Sequence, residues 1–157
     1  MKTRAAQALD RLGIGYEIRE FEEEHLGADE VAEKLHIPLA QVFKTLVVRG
    51  DRTGVMLACL PGTMTLSLRT LARLSGNRKV EMVEKDEILR LTGYIRGGVS
   101  PLGGKKNYPM YLDRSALEQS IVSVSAGMRG MQLFLRPDDL ARATQATLAP
   151  IGTTDEK

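Results

Sequence analysis

Three stretches of the chain hold residue types from which a reactive or binding site can be built. The first is Thr92-Gly93-Tyr94-Ile95-Arg96-Gly97-Gly98-Val99-Ser100-Pro101-Leu102-Gly103-Gly104-Lys105-Lys106, with five glycines. Glycine lets backbone N–H groups come close to a ligand, and Pro101 stiffens the loop so that those groups stay oriented. That combination suits an oxyanion or a phosphate. It is not a Walker loop, because no Gly-Lys-Ser/Thr ends it, and no clean strand-to-helix turn frames it as a dinucleotide fingerprint. On composition alone a plain irregular connection is the slightly commoner meaning of such a loop. The second stretch centres on Lys44, at the entry to the apolar run Thr45-Leu46-Val47-Val48. A lysine there can enter a cleft and hold a phosphate or an ester carbonyl, with partial burial tuning its proton affinity, although a strand-end lysine more often reaches water. The third is Ser123, Ser125, Gly127, Arg129 and Gly130, whose glycines can bring the backbone near the first loop. Arg129 suits a phosphate or carboxylate there, and a simple turn with an exposed arginine explains the cluster equally well.

No nucleophilic triad is legible. His25 and His36 lie in segments that read as surface, and Cys59 alternates with apolar neighbours inside a strand, the pattern of a buried small hydrophobe. The lone cysteine forms no internal disulfide, and no spaced Cys/His set marks a zinc site, so neither metal nor cofactor is expected. An enzyme with these parts works by positioning, with oriented backbone donors, a lysine and a nucleophile supplied by the substrate itself.

The elements that must hold these residues follow from periodicity and punctuation. Thr3 caps a helix over 4–12 that carries Ala5, Ala6, Leu9 and Leu12 and stops at Gly13. Tyr16, Ile18 and Phe21 suggest a short strand, and the Glu22-Glu23-Glu24 run reads as a solvated connection. Gly27 leads into a helix with Val31, Ala32 and Leu35, and Pro38 opens a short one before the strand 43–48. The glycines of Gly50-Asp51-Arg52-Thr53-Gly54 predict a hairpin to the strand 55–60. A helix over 68–74, a strand over 80–83 and a helix over 86–91 follow. After the glycine loop come strands over 109–112, 121–124 and 131–135, then a helix opened by Pro137 with Asp138 and Asp139. The tail after Pro150 reads as frayed. Helices and strands do not alternate strictly, which favours α+β with a mixed, curled sheet flanked by helices over a doubly wound parallel sheet.

Bulk properties narrow the setting. The 157 residues with 43% apolar content suit a single domain over 1–157 with a real core. A formal net charge of +2 excludes a polycation that holds nucleic acid by bulk charge, so any RNA contact must be local. No run is long enough to cross a bilayer, and the charged start Met1-Lys2-Thr3-Arg4 lacks a signal-peptide core. A cytoplasmic protein without membrane or DNA partners is expected.

Taken together, Val42-Phe43-Lys44-Thr45-Leu46, the loop Thr92-Gly93-Tyr94 through Gly97-Gly98-Val99-Ser100-Pro101-Leu102-Gly103, and Ser125-Ala126-Gly127-Met128-Arg129-Gly130 resemble the YbaK/EbsC family of Cys-tRNA(Pro) deacylases. These are relatives of the inserted editing domain of bacterial prolyl-tRNA synthetases. The likeness covers nearly the whole chain, and Lys79-Val80-Glu81-Met82 draws it towards the YbaK branch. It implies a mixed sheet curled into a barrel-like core and a pocket between the lysine strand and a Gly-x-x-x-Pro loop, filled here by Gly97 and Pro101. It implies Lys44 as the central residue, with Gly97, Gly98 and Ser100 beside it in the catalytic set. Phe21, Thr45, Pro101, Ser125, Gly127, Arg129 and Gln132 then contact substrate, while Lys105 and Lys106 meet RNA at the pocket mouth. The implied reaction is trans-editing of mischarged Cys-tRNA(Pro), in which the cysteinyl thiol attacks its own ester and expels the tRNA. The implied partner is aminoacyl-tRNA, with prolyl-tRNA synthetase as a further candidate. Phe21 stands where relatives carry tyrosine and Gln132 where they carry aspartate, which loosens the cysteine preference. The competing reading is a non-catalytic module that binds a tRNA 3′ end or a nucleotide. The intact Lys44 and glycine loop favour the enzyme.

Overall fold

The computed structural model describes residues 2–23 and 27–154; His25 and Glu24 lie outside the described residues. Helix α1 (Arg4–Arg11) begins where the Thr3 side chain accepts a hydrogen bond from the Ala6 N–H, and it buries Ala5, Ala6 and Leu9. After strand β1 (Glu17–Glu20), helix α2 (Ala28–Leu35) buries Val31 and Ala32 and ends at His36, an exposed residue in the left-handed conformation. A 3-10 turn over Leu39–Gln41 then delivers the chain to β2 (Phe43–Gly50).

Strands β2 and β3 (Gly54–Pro61) form the expected hairpin, with Gly50 opposite Gly54. The turn is held from outside. Asn77 Oδ1 accepts from the Arg52 and Thr53 N–H groups at 2.8 and 3.0 Å. Its amide lies against Gly50 where any Cβ would stand, so only glycine fits there. Next come β4 (Thr65–Leu66), α3 (Leu68–Ser75) capped by Ser67, and β5 (Val80–Met82). The helix expected over 86–91 is a 3-10 turn at Lys85–Glu87 followed by α4 (Ile88–Thr92). Beyond the glycine loop lie β6 (Met110–Asp113), β7 (Val122–Met128), β8 (Met131–Leu135) and α5 (Pro137–Thr144).

The tail is not frayed where it is described. Strands β9 (Thr147–Ala149) and β10 (Gly152–Thr153) continue the chain, and Ile151 between them is fully buried. The buried Asp113 carboxylate holds them, accepting from the Ile151 and Gly152 N–H groups, each at 2.9 Å. Strand β10 also pairs with β4.

The mixed α+β class is what the structure shows. A five-stranded sheet runs β5-β2-β3-β6-β9, antiparallel about β2 and parallel from β3 onwards, and a three-stranded antiparallel sheet runs β1-β8-β7. A parallel bridge between Val42 and Ser123 joins the two. Alternation along β2 divides its faces. Phe43 and Val47 enter the main core with Leu9, Leu112, Val124, Leu133 and Leu140, while Val42 packs with Val31 and Ala32 of α2. Lys44 shares the Val42 parity, so its position follows from the same pleat that buries its neighbours. Cys59 is fully buried in the main core, and truncating a large side chain there, such as Leu133→Ala, costs about 2–5 kcal/mol.

Candidate functional site

A cavity of about 520 Å³ opens between β2, the start of α2, the turn after β5 and the glycine loop. Lys44 lines it together with Phe21, Thr45, Gly97, Ser125 and Gln132, so six residues singled out from sequence converge on one space. Its walls are mostly apolar, supplied by Val31, Val42, Leu46, Val83, Ile88 and Val99. Apolar walls with a few convergent polar groups are the usual make-up of a small-molecule site.

Lys44 has no ion pair within 4 Å among the described residues. Burial holds its ammonium below the ordinary lysine range, partly offset by the negative charge of Asp29 in the first turn of α2. An ammonium desolvated in this way and left without a protein partner favours any anion or carbonyl oxygen brought to it.

The glycine loop faces two ways. Gly97 and Val99 line the Lys44 cavity, and neither donates its N–H to another described group. Gly97 takes φ +86°, the left-handed region where a side chain is strained. Gly98 differs, because its N–H closes a turn onto Ile95 O at 2.9 Å, and the residue is buried against the backbone of Met128 and Arg129. Its N–H is therefore spent, and Gly98 does not line the cavity. Ser100 is buried too, its Oγ accepting from the Leu102 N–H at 3.3 Å. With Pro101 it lines a separate groove on the other side of the loop, beside α1.

The third cluster braces this loop. Arg129 Nε donates to Arg96 O at 2.9 Å rather than lining the cavity. Gly127, at φ +100°, leaves room for the Tyr94 ring, and the Tyr94 hydroxyl donates to Leu102 O. Ser125 Oγ accepts from the Gly127 N–H where β7 bulges. The Phe21 N–H donates to Gly130 O at 2.9 Å, which ties the aromatic wall to the same turn. Buried Gln132 lies opposite Ser125 in the β7–β8 register, and its Oε1 accepts from the Ser123 hydroxyl at 2.7 Å. Thr45 donates to Cys59 Sγ at 3.7 Å, and burial pushes that thiol up to about 12, far from a neutral-pH nucleophile.

Lys105 and Lys106 are not at the mouth of the Lys44 cavity. Lys105 Nζ donates to Arg90 O, and Lys106 lines the groove behind the loop. Conversely, the cavity recruits charged residues that local sequence reading passed over: Glu23, Lys85 and Arg96. Glu23 comes from the acidic run read as a solvated connection, and partial burial raises its carboxyl above the ordinary range against the opposing charge of Arg129. The β1–β8 pairing and the Phe21 bond to Gly130 place Glu23 at the cavity, and charge patterning along the chain carries no signal of it.

The chain is similar to known proteins along most of its length. The family model of the aminoacyl-tRNA editing domain matches residues 22–143. EbsC of Enterococcus faecalis, named for deacylation of Cys-tRNA(Pro) and Cys-tRNA(Cys), is 44% identical over 156 residues, covering 98% of this chain and 95% of its own. Proline–tRNA ligase of Thermosipho africanus is 35% identical over 78 residues, half of this chain but 14% of the ligase. A crystal structure presented as a trans-editing enzyme for prolyl tRNA synthetase superposes with a TM-score of 0.87 at 28% identity, covering 96% of this chain and 95% of that one. With the family model spanning most of the chain and EbsC aligned almost end to end, the chain belongs to the aminoacyl-tRNA editing domain family.

Proposed function

We propose that this protein is a free-standing aminoacyl-tRNA deacylase, a single editing domain over 1–157 that releases cysteine wrongly attached to tRNA(Pro). The observation that carries the reading is the half-buried Lys44 ammonium, without an ion partner among the described residues, in a cavity lined also by Gly97 and Val99, whose N–H groups donate to no other described group. Lys44 anchors the terminal phosphate or adenosine and aligns the aminoacyl carbonyl. Such a point charge supplies orientation more than proton transfer. The Gly97 and Val99 N–H groups stabilise the developing oxyanion, and Gly98, whose N–H is spent on Ile95 O, and buried Ser100 shape the loop instead. Phe21, Thr45, Ser125 and Gln132 wall the aminoacyl group.

No protein nucleophile is required. The cysteinyl sulfur bonds to its own carbonyl carbon, the ester C–O bond breaks, and the thiol proton leaves on the ribose oxygen. The resulting thiolactone is then opened by water. The two sheets joined at Val42 and Ser123 act as one curled, barrel-like support for this cavity. The work is that of a cytoplasmic protein beside prolyl-tRNA synthetase, a reading supported by the proline–tRNA ligase that aligns with half of this chain. Incubation with Cys-tRNA(Pro) and Ala-tRNA(Pro) tests the reading. Release of cysteine at catalytic protein concentration supports it, and protection of the ester without turnover assigns the cavity to a binding module instead.

A further inference from the structure

Behind the glycine loop lies a larger groove of about 800 Å³, walled by α1, the segment from Ser100 to Met110 and the end of α5. Four cationic side chains line it, Arg4, Arg11, Lys106 and Arg142, and no acidic one does. The whole chain carries a formal net charge of only +2, so this groove concentrates positive charge that is balanced elsewhere. Two other cavities differ: the first holds Glu23 with Lys44, Lys85 and Arg96, and one beside Tyr16 holds Glu17 and Asp139 with Arg19 and Arg136.

These cations come from three separate elements and are largely unspent. Among the described residues, Arg11 donates only to the carbonyl of Gln7 in its own helix, at 3.4 Å. Lys106 has no partner among the described residues. Arg142 shares one exposed ion pair with Asp139 at 3.2 Å, the kind worth little in water. Arg4 is fixed in place, donating to Gly93 O at 3.0 Å with its guanidinium over the Tyr94 ring. One loop separates this groove from the Lys44 cavity. Gly97 faces one and Ser100 the other, and three residues of chain span at most about 11 Å.

We infer that this groove is a second binding site, for the phosphodiester backbone of the RNA whose aminoacylated end enters the Lys44 cavity. The inference rests on the deacylase reading and adds to it the surface that holds the rest of the substrate. A group of four cations with no carboxylate among the lining residues, Asp139 reaching only Arg142 from outside, suits several phosphates, and polar Asn107, Thr144 and Gln145 in its walls suit a hydrated, sequence-independent contact. It also accounts for how a chain of low net charge holds a polyanion.

The test compares the unaltered protein, the double variant Arg11→Ala with Arg142→Ala, and the charge-keeping pair Arg11→Lys with Arg142→Lys. Binding of uncharged tRNA(Pro) is measured from about 50 to 200 mM salt, together with turnover of a cysteinyl ester of adenosine. Losing two phosphate contacts lowers the slope of log affinity against log salt by about 1.4 to 1.8. The alanine pair is expected to show that drop and at least about tenfold weaker tRNA binding at low salt, with ester turnover unchanged. The lysine pair is expected to keep the slope. An unaltered slope in the alanine pair overturns the inference, as does a lysine pair that behaves like alanine, because the arginines would then serve only packing at the helix ends. Absence of ester turnover by the unaltered protein would sink the deacylase reading alone, and the slope comparison would still decide the groove.

Discussion

Replacing Lys44 should separate activity from stability, because the side chain is held in a place that suits a ligand better than it suits the fold. Truncation to alanine removes three methylenes and the ammonium from a half-buried position. At about 0.8 kcal/mol per fully buried methylene, the stem contributes about 1.2 kcal/mol. Against that loss stands the relief of desolvation, since burial is the largest influence on this ammonium and lowers its proton affinity. Lys44→Met keeps most of the apolar volume and sheds the charge, so it should be at least as stable as the unaltered protein at pH 7. The sign can be checked with pH. A lysine whose folded proton affinity is lowered is penalised while charged, fully below its folded pKa, and the penalty fades as pH rises towards and past the ordinary lysine value. The stability gap between Lys44→Met and the unaltered protein should therefore shrink in alkaline solution. Activity should move the other way: a charge-assisted contact worth about 1.5–3 kcal/mol corresponds to roughly a ten- to 150-fold fall in kcat/KM. Lys44→Arg should rescue poorly, because a planar fork does not fit a site shaped for a compact ammonium. Deacylation of Cys-tRNA(Pro) and urea denaturation at pH 7 and in alkaline buffer measure both quantities. Wild-type turnover from a folded Lys44→Met protein, or a loss of stability above about 2 kcal/mol, would refute the reasoning.

Gly97→Ala should cost about 1–2 kcal/mol through its left-handed backbone and, because alanine keeps the N–H and only displaces it, lower kcat by less than the about 10²–10³-fold that removal of an oxyanion donor costs, whereas Gly98→Ala, whose new Cβ would sit 3.4 Å from the nearest backbone atoms, should be milder in both; single-turnover kinetics with thermal melts compare them. Cys59→Ala and treatment with a chelator should leave turnover nearly unchanged, since this buried thiol is pushed up to about 12 and no described cluster of three His, Cys, Asp or Glu could hold a metal; the cysteine variant should lose about 1 kcal/mol in urea. Asp113→Ala should destabilise by about 3 kcal/mol, because it strands the Ile151 and Gly152 N–H groups in the interior, and a denaturation midpoint within error of the unaltered protein would contradict the role given to this carboxylate.

What could be read along the chain was whatever neighbours in sequence decide together. The cap at Thr3, the glycines at both ends of the 50–54 turn and the period of two along β2 each act within a few residues, and they appear in the structure close to where they were expected. The motifs around Lys44, Gly97 and Ser125 marked the family, and the structure brings those three residues to one cavity. Pairings between distant residues decided the rest. Glu23 enters the cavity because β1 pairs with β8, about 110 residues further on, and Ile151 is buried because Asp113 and β4 hold the tail. The glycine loop shows the limit most clearly. Its composition foretold close backbone approach, but which N–H groups stay free depends on the turn that Gly98 closes onto Ile95 and on Arg129 gripping Arg96 from another strand. Lys106, Arg4 and Arg142 likewise meet in one groove only after α1, the loop and α5 have packed. Local propensity fixes where elements begin and end, whereas the facing of a loop and the company a charge keeps are set by long-range packing, which periodicity along the chain does not encode.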